Sequence, residues 1–139
     1  VSDESIKQEV NVVEFCRSLS INTLNNLINR YGQDLKNEQW VMEPFSDILV
    51  SMSILDTTIK RYIQASDSKK SDMFDVLKLS VADQYNNMIK NAEDILAALN
   101  ENDKTLSHWT KKLEYNPNRI ESKKKIYEKL NKYGKYYLD

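Results

Sequence analysis

Glycine and proline are scarce in this chain, and their scarcity limits the folds that it can adopt. Only two glycines and two prolines occur among 139 residues, about 3 % of the chain against a usual share of about 12 %. Sandwiches and barrels need a turn about every 8–12 residues, and phosphate-binding loops need clustered glycines. The composition therefore favours a few long helices.

Apolar side chains recur every three or four residues over three long stretches, as in amphipathic helices. These stretches predict helices over residues 3–31, 37–63 and 71–100, with a polar link at 66–70. Gly32 follows the first stretch and is expected to end it in the left-handed conformation. Short links make neighbouring helices antiparallel, which predicts an all-α, up-down bundle.

Several local signals refine this prediction. The second helix is expected to begin near Asp34 or Asn37, and Asn37 is a favourable N-cap. Pro44 predicts either a kink within that helix, which is the favoured interpretation, or a short helix followed by a long one that starts near Pro44. A short helix is expected over 103–113, followed by a break at 115–118. Asn118 with Glu121 resembles a capping box, which predicts a final helix over 119–133 that Gly134 ends. One face of it is expected to hold Ile120, Tyr127, Leu130 and Tyr133. The fold class is thus three long helices plus shorter C-terminal helices, in one domain of residues 1–139.

The residue types that a self-contained enzyme needs are not assembled in this sequence. A di-iron bundle needs a Glu-x-x-His motif on each of two helices, and this sequence has one histidine, His108, which excludes such a site. Cys16 has no second cysteine for a disulfide or a zinc site and is interpreted as a buried thiol. Carboxylates at helical spacing, such as Glu43 with Asp47 and Asp72 with Asp75, are interpreted as solvated faces. No catalytic, cofactor-binding or metal-ligating residue is predicted.

Charge is unevenly distributed along the chain. Residues 119–139 carry a net charge of +4 and are rich in tyrosine, which leaves −5 for residues 1–118. Mixtures of basic and aromatic side chains suit membrane interfaces and anionic partners, although a solvated helix face with core tyrosines explains them too. The overall charge of −1 argues against nucleic-acid binding. The candidate membrane or partner surface comprises Lys123, Lys124, Lys125, Lys129, Lys132, Lys135 and Tyr136.

Methionine and aromatic side chains offer one further interpretation. Met42, Met52, Met73 and Met88, with Trp40, could line a groove for an acyl chain. A bundle core explains the same spacing and is the favoured interpretation.

One set of residues links the first two predicted helices. A long helix ends at a basic residue and glycine, an Asn-Glu-Gln triplet follows, and the next helix carries Phe-Ser-Asp and then a methionine. The positions are Gly32, Asn37, Glu38, Gln39, Phe45, Ser46, Asp47 and Met52. With residues 11–62 around it, this packing-like motif resembles the C-terminal helical domain of very-long-chain-type and related bacterial acyl-CoA dehydrogenases. Residues 126–136 resemble the closing helix of that domain, whereas Pro44 departs from the family.

The resemblance implies a non-catalytic domain. Full-length members are flavin oxidoreductases of fatty acid β-oxidation, dimeric enzymes that desaturate acyl-CoA, and their FAD site and catalytic glutamate lie upstream of this domain. We therefore expect a C-terminal fragment that begins at Val1. It would dock on the parent dehydrogenase, support a homodimer and contact a membrane or partner. The implied location is cytoplasmic or membrane-peripheral, and mitochondrial in a eukaryote. The alternatives are a stand-alone protein-interaction module and a small acyl- or lipid-binding protein.

Overall fold

The computed structural model describes residues 4–99 and 117–133, and within them the chain is almost entirely helical. Helix α1 spans Lys7–Tyr31, α2 spans Gln39–Gln64, α3 spans Asp67–Ala98 and α4 spans Arg119–Tyr133. Short 3-10 turns occupy Glu4–Ile6 and Gly32–Asn37. No strand occurs in the described ranges. The predicted all-α class is confirmed.

Helices α1, α2 and α3 contact one another pairwise and enclose one apolar core. Their core-facing side chains recur every three or four residues, so that each helix buries one stripe. An Arg17–Asp56 ion pair joins α1 to α2 at the surface. Among the described residues, the ten largest fully buried side chains are Ile6, Val12, Cys16, Leu27, Ile48, Leu55, Leu77, Val81, Met88 and Ile95.

Gly32 ends α1 as the sequence predicts, but in a different conformation. Its φ is 55° and its ψ is −128°, which is the mirror image of the β region rather than left-handed helix. Both regions are open to glycine because it lacks a Cβ atom. The Gly32 N–H donates to the Ile28 carbonyl and so satisfies one group at the helix end.

Helix α2 begins one residue later than the Asn37 cap would require. Asn37 is the last residue of the 3-10 turn, and Glu38 is the N-cap, without a side-chain hydrogen bond to the helix. The 3-10 turn carries the chain through Asn37, so the backbone leaves helical geometry only at Glu38. A single helix then passes through Pro44. Because Pro44 has no N–H, the Trp40 carbonyl loses its usual helical donor at this point.

The polar link predicted at residues 66–70 is wrong, because α3 already begins at Asp67. No glycine or proline interrupts residues 67–70, and Asp67 in the first turn favours the positive end of the helix dipole. The Lys70 N–H donates to the Ser66 carbonyl at 2.8 Å. Only Ala65 and Ser66 therefore separate α2 from α3.

Helix α4 has the bounds that the sequence predicts, and Asn118 caps it. The Asn118 Oδ1 accepts a hydrogen bond from the Glu121 N–H at 2.9 Å, as an N-cap side chain should. The helix expected over 103–113 and the stop expected at Gly134 lie outside the described residues.

Candidate functional site

Basic side chains near both ends of α4 contact α3. Arg119 Nη1 lies 3.6 Å from Asp83 Oδ1, and Lys129 Nζ donates to the Ser71 carbonyl at 2.9 Å. Residue 119 thus lies beside residue 83, and residue 129 beside residue 71. The two helices are therefore antiparallel.

A buried hydrogen bond lies between these two contacts. Ser122 Oγ donates to Asp75 Oδ1 at 3.2 Å, and the two residues are only 4 % and 7 % exposed. The interpretation of Asp75 as part of a solvated face is therefore wrong, because α4 packs against it. Ser122 falls three residues after Arg119 and seven before Lys129, so all three occupy one face of α4. That face is largely polar, and it meets carboxylates of α3.

The opposite side of α4 presents a stripe of apolar and basic side chains. Ile120 is 82 % exposed and Tyr127 is 66 % exposed, while Lys123 and Lys124 between them are also exposed. Residues at i, i+3, i+4 and i+7 are neighbours on a helix surface. We call these four residues the α4 stripe.

The face that the sequence predicts to hold the apolar side chains of α4 is therefore not the one that meets α3. Ile120 and Tyr127 project to solvent, Leu130 is only half-buried, and the Tyr133 side chain lies outside the described residues. The side of α4 that carries Arg119 and Lys129 lies against carboxylates of α3 instead. Apolar periodicity alone gives no sign of this preference.

The remaining residues of the predicted basic surface differ in their placement. Lys125 is exposed, on the helix flank that it shares with Glu121 and Glu128. Lys129 packs against α3 through its contacts with Ser71 and Asp72. The Lys132 side chain, Lys135 and Tyr136 lie outside the described residues.

The residues of the family-like motif are mostly at the surface. Phe45 and Met52 join the apolar core, and Glu38 is half-buried. The other five are exposed, namely Gly32, Asn37, Gln39, Ser46 and Asp47. These five residues are available for contacts outside the described part of the chain.

The methionines and Trp40 do not converge on one groove. Met52 and Met88 belong to the core, in agreement with the favoured interpretation of their spacing. Met42 and Met73 are half-buried. Trp40, in the first turn of α2, is 90 % exposed.

A groove of about 450 Å³ lies between α2 and α3, and the sequence gives little sign of it. Arg61 is the one charged residue among the described residues that line it. The other residues that line it are Ser53, Thr57, Thr58, Tyr62 and Ser80, which carry hydroxyl groups, and the apolar Ile54, Met73, Val76 and Leu77. Only the pairing of α2 with α3 brings these residues together.

Three further features of the described residues concern the reactivity of a cysteine, metal binding and membrane crossing. Cys16 is buried as expected, and burial raises the pKa of its thiol to about 12, which suppresses the reactive thiolate. Within residues 4–99 and 117–133, no group of three or more His, Cys, Asp or Glu residues could hold a metal ion. None of the helices described combines the length and apolar character that crossing a bilayer requires.

Comparison of the chain with protein-family models, with curated proteins and with solved structures gave no match. Function is therefore argued from the residues described above.

Proposed function

We propose that this chain is a non-catalytic helical docking module that binds an anionic lipid surface through the α4 stripe. The observation that carries the proposal is the exposure of Ile120 and Tyr127 on either side of Lys123 and Lys124. Apolar side chains that extend to solvent beside lysines are typical of helices that lie at membrane interfaces.

The charges and the apolar groups of the stripe would contribute together. Each lysine near an anionic leaflet is worth about 1 kcal/mol, and full burial of a large apolar side chain adds about 1.5–3 kcal/mol. Two lysines with Ile120 and Tyr127 therefore support weak, reversible association. Salt should weaken it, because the lysine contribution is screened over about 8 Å at physiological ionic strength.

The packed side of α4 supports the same proposal. Arg119, Ser122 and Lys129 bind to α3, which fixes the rotation of the helix about its axis. The α4 stripe therefore already faces solvent in the folded chain. Binding to a lipid surface does not require α4 to fold or turn first.

The experiment is sedimentation of the chain with vesicles of phosphatidylserine and phosphatidylcholine, or of phosphatidylcholine alone. We expect binding to the anionic vesicles only, and its loss as salt is raised. Replacing Lys123, Lys124 and Lys125 by glutamine should abolish binding.

A control with the same change of charge is available elsewhere on the bundle. Lys36, Lys60 and Lys90 are exposed on other elements, and their replacement by glutamine should leave binding nearly unchanged. The proposal is wrong if the first triple variant still binds the anionic vesicles, or if the control variant loses as much binding as the first.

We further propose, on the resemblance, that the module serves an acyl-CoA dehydrogenase-like flavoprotein. It would dock on the catalytic body, which would carry the FAD, and would support the dimer. The exposed motif residues Gly32, Asn37, Gln39 and Asp47 are consistent with packing against another chain or domain. Reading the coding sequence upstream of Val1 tests this: without a dehydrogenase domain there, the parentage fails and the lipid proposal stands.

A stand-alone protein-interaction module is the second candidate, and Trp40 favours it. Tryptophan is enriched at interface hot spots, and this one is 90 % exposed at the start of α2. Sedimentation velocity of the chain and of the Trp40→Ser variant tests it. If the unaltered chain self-associates and the Trp40→Ser variant is monomeric, the result supports this candidate. If both proteins are monomeric, the result counts against self-association.

A further inference from the structure

The groove between α2 and α3 combines one cation with hydroxyl groups and an apolar floor. Its α2 side presents Arg61, Thr57 and Ile54, which follow one another at helical spacing. Its α3 side presents Val76 and Ser80, also at helical spacing. Binding sites for small molecules typically have about 300–1,000 Å³ and a few polar groups on an apolar lining, and the groove of about 450 Å³ fits that description.

Arg61 is the group that defines what the groove can accept. It makes no ion pair or side-chain hydrogen bond with any residue of the described segments. A guanidinium group offers five donors in a planar fork that matches a carboxylate. A carboxylate at this position would meet no competing acidic side chain in the described lining.

The residues around the groove favour one orientation of a bound anion. A second, more polar hollow continues along α2 and α3 and shares Ile54 with the groove. Its lining includes Asp47 and Asp94 with one lysine, Lys90. Carboxylates repel an anion, so the head group is favoured at the Arg61 end. Ile54 and Leu77 of the groove then offer apolar contacts to the rest of the molecule.

We propose that the groove binds a small amphiphile with one carboxylate head and an apolar tail. Seven residues separate Arg61 from Ile54 on α2, a distance of about 10 Å at 1.5 Å per residue. An extended alkyl chain advances about 1.3 Å per bond, because bonds of about 1.5 Å zigzag. The groove therefore fits a tail of about eight carbon atoms. This inference uses no residue of the α4 stripe and goes beyond lipid-surface docking.

Titration of the ¹⁵N-labelled chain with decanoate, below its micelle concentration, tests the proposal. We expect saturable chemical-shift changes at the backbone amides of Ile54, Arg61, Val76 and Ser80. Decanol has the same tail without the charge, and acetate has the head without the tail. Each should bind at least about tenfold more weakly, because each lacks one of the two contributions.

Variants separate the groove from other basic parts of the surface. Arg61→Gln should weaken decanoate binding about tenfold or more, and Val76→Glu should abolish it by placing an anion in the floor. Lys60→Gln removes a neighbouring exposed cation outside the groove and should leave binding unchanged.

Three results would overturn the proposal. They are equal binding of decanoate and decanol, equal binding by the Arg61→Gln variant and the unaltered chain, and shifts confined to the α4 stripe. The last result would assign the fatty acid to the lipid-docking surface instead. Loss of vesicle binding in the lysine variants bears on α4 alone, so the two proposals fail separately.

Discussion

The contacts that attach α4 to α3 include a buried hydrogen bond, and Ser122→Ala should loosen the attachment. Ser122 Oγ donates to Asp75 Oδ1 at 3.2 Å, and Asp75 is only 7 % exposed. Removing the hydroxyl leaves a buried carboxylate oxygen without this donor. Such a loss costs about 1–3 kcal/mol.

The effect should be local rather than global. An isolated helix of 15 residues is marginal in water, so α4 depends on its contacts with α3. The Arg119–Asp83 pair is largely exposed, and pairs of that kind contribute about 0.2–1 kcal/mol. We therefore expect α4 to open about 10- to 100-fold more often, while α1–α3 stay as stable as before.

Native-state hydrogen exchange measures this directly. Amides of residues 123–131 should exchange about 10- to 100-fold faster in the Ser122→Ala variant, and amides in the middle of α1, α2 and α3 should be unaffected. Ser46→Ala removes an exposed serine from α2 and should change neither set. Replacing Asp75 and Ser122 together by alanine should recover part of the protection, because no buried carboxylate is then left unpaired.

Two outcomes would refute this reasoning. Unchanged exchange in α4 would mean that the Ser122–Asp75 bond contributes nothing to its attachment. Equal acceleration across all four helices would mean that α4 unfolds only with the rest of the bundle.

Three further predictions concern the body of the bundle. Met88→Ala removes a side chain with no exposed surface and should lower the free energy of unfolding by about 2–5 kcal/mol in urea titrations; an unchanged midpoint would contradict its place in the core. Gly32→Ala should cost about 1–3 kcal/mol by the same assay, solely from backbone strain at φ 55°, because the added Cβ would meet no atom within 4 Å. Burial raises the pKa of the Cys16 thiol to about 12, so Cys16 should resist a thiol reagent at pH 8 in the folded chain and react at the rate of a free thiol in urea. Fast labelling of the folded chain would show that the thiol is accessible.

The sequence by itself determined the helices, because their signals are local. Periodic apolar residues, the scarcity of glycine and proline, the Gly32 stop and the Asn118 cap all act within a few residues of the backbone that they affect. The bounds of α4 follow from them. The starts of α2 and α3 were missed, because a polar segment such as 66–70 is equally compatible with a linker and with the first turn of a helix.

Tertiary structure alone decided which surfaces face solvent and which residues meet. The sequence predicts one apolar face on α4, yet Ile120 and Tyr127 of that face point outward, and the side with Arg119 and Lys129 lies against carboxylates of α3. The groove likewise exists only because α2 lies beside α3, which brings Arg61 to the same cleft as Val76 and Ser80. Contacts of this kind join residues far apart in the chain, and the periodicity of a single helix carries no information about them.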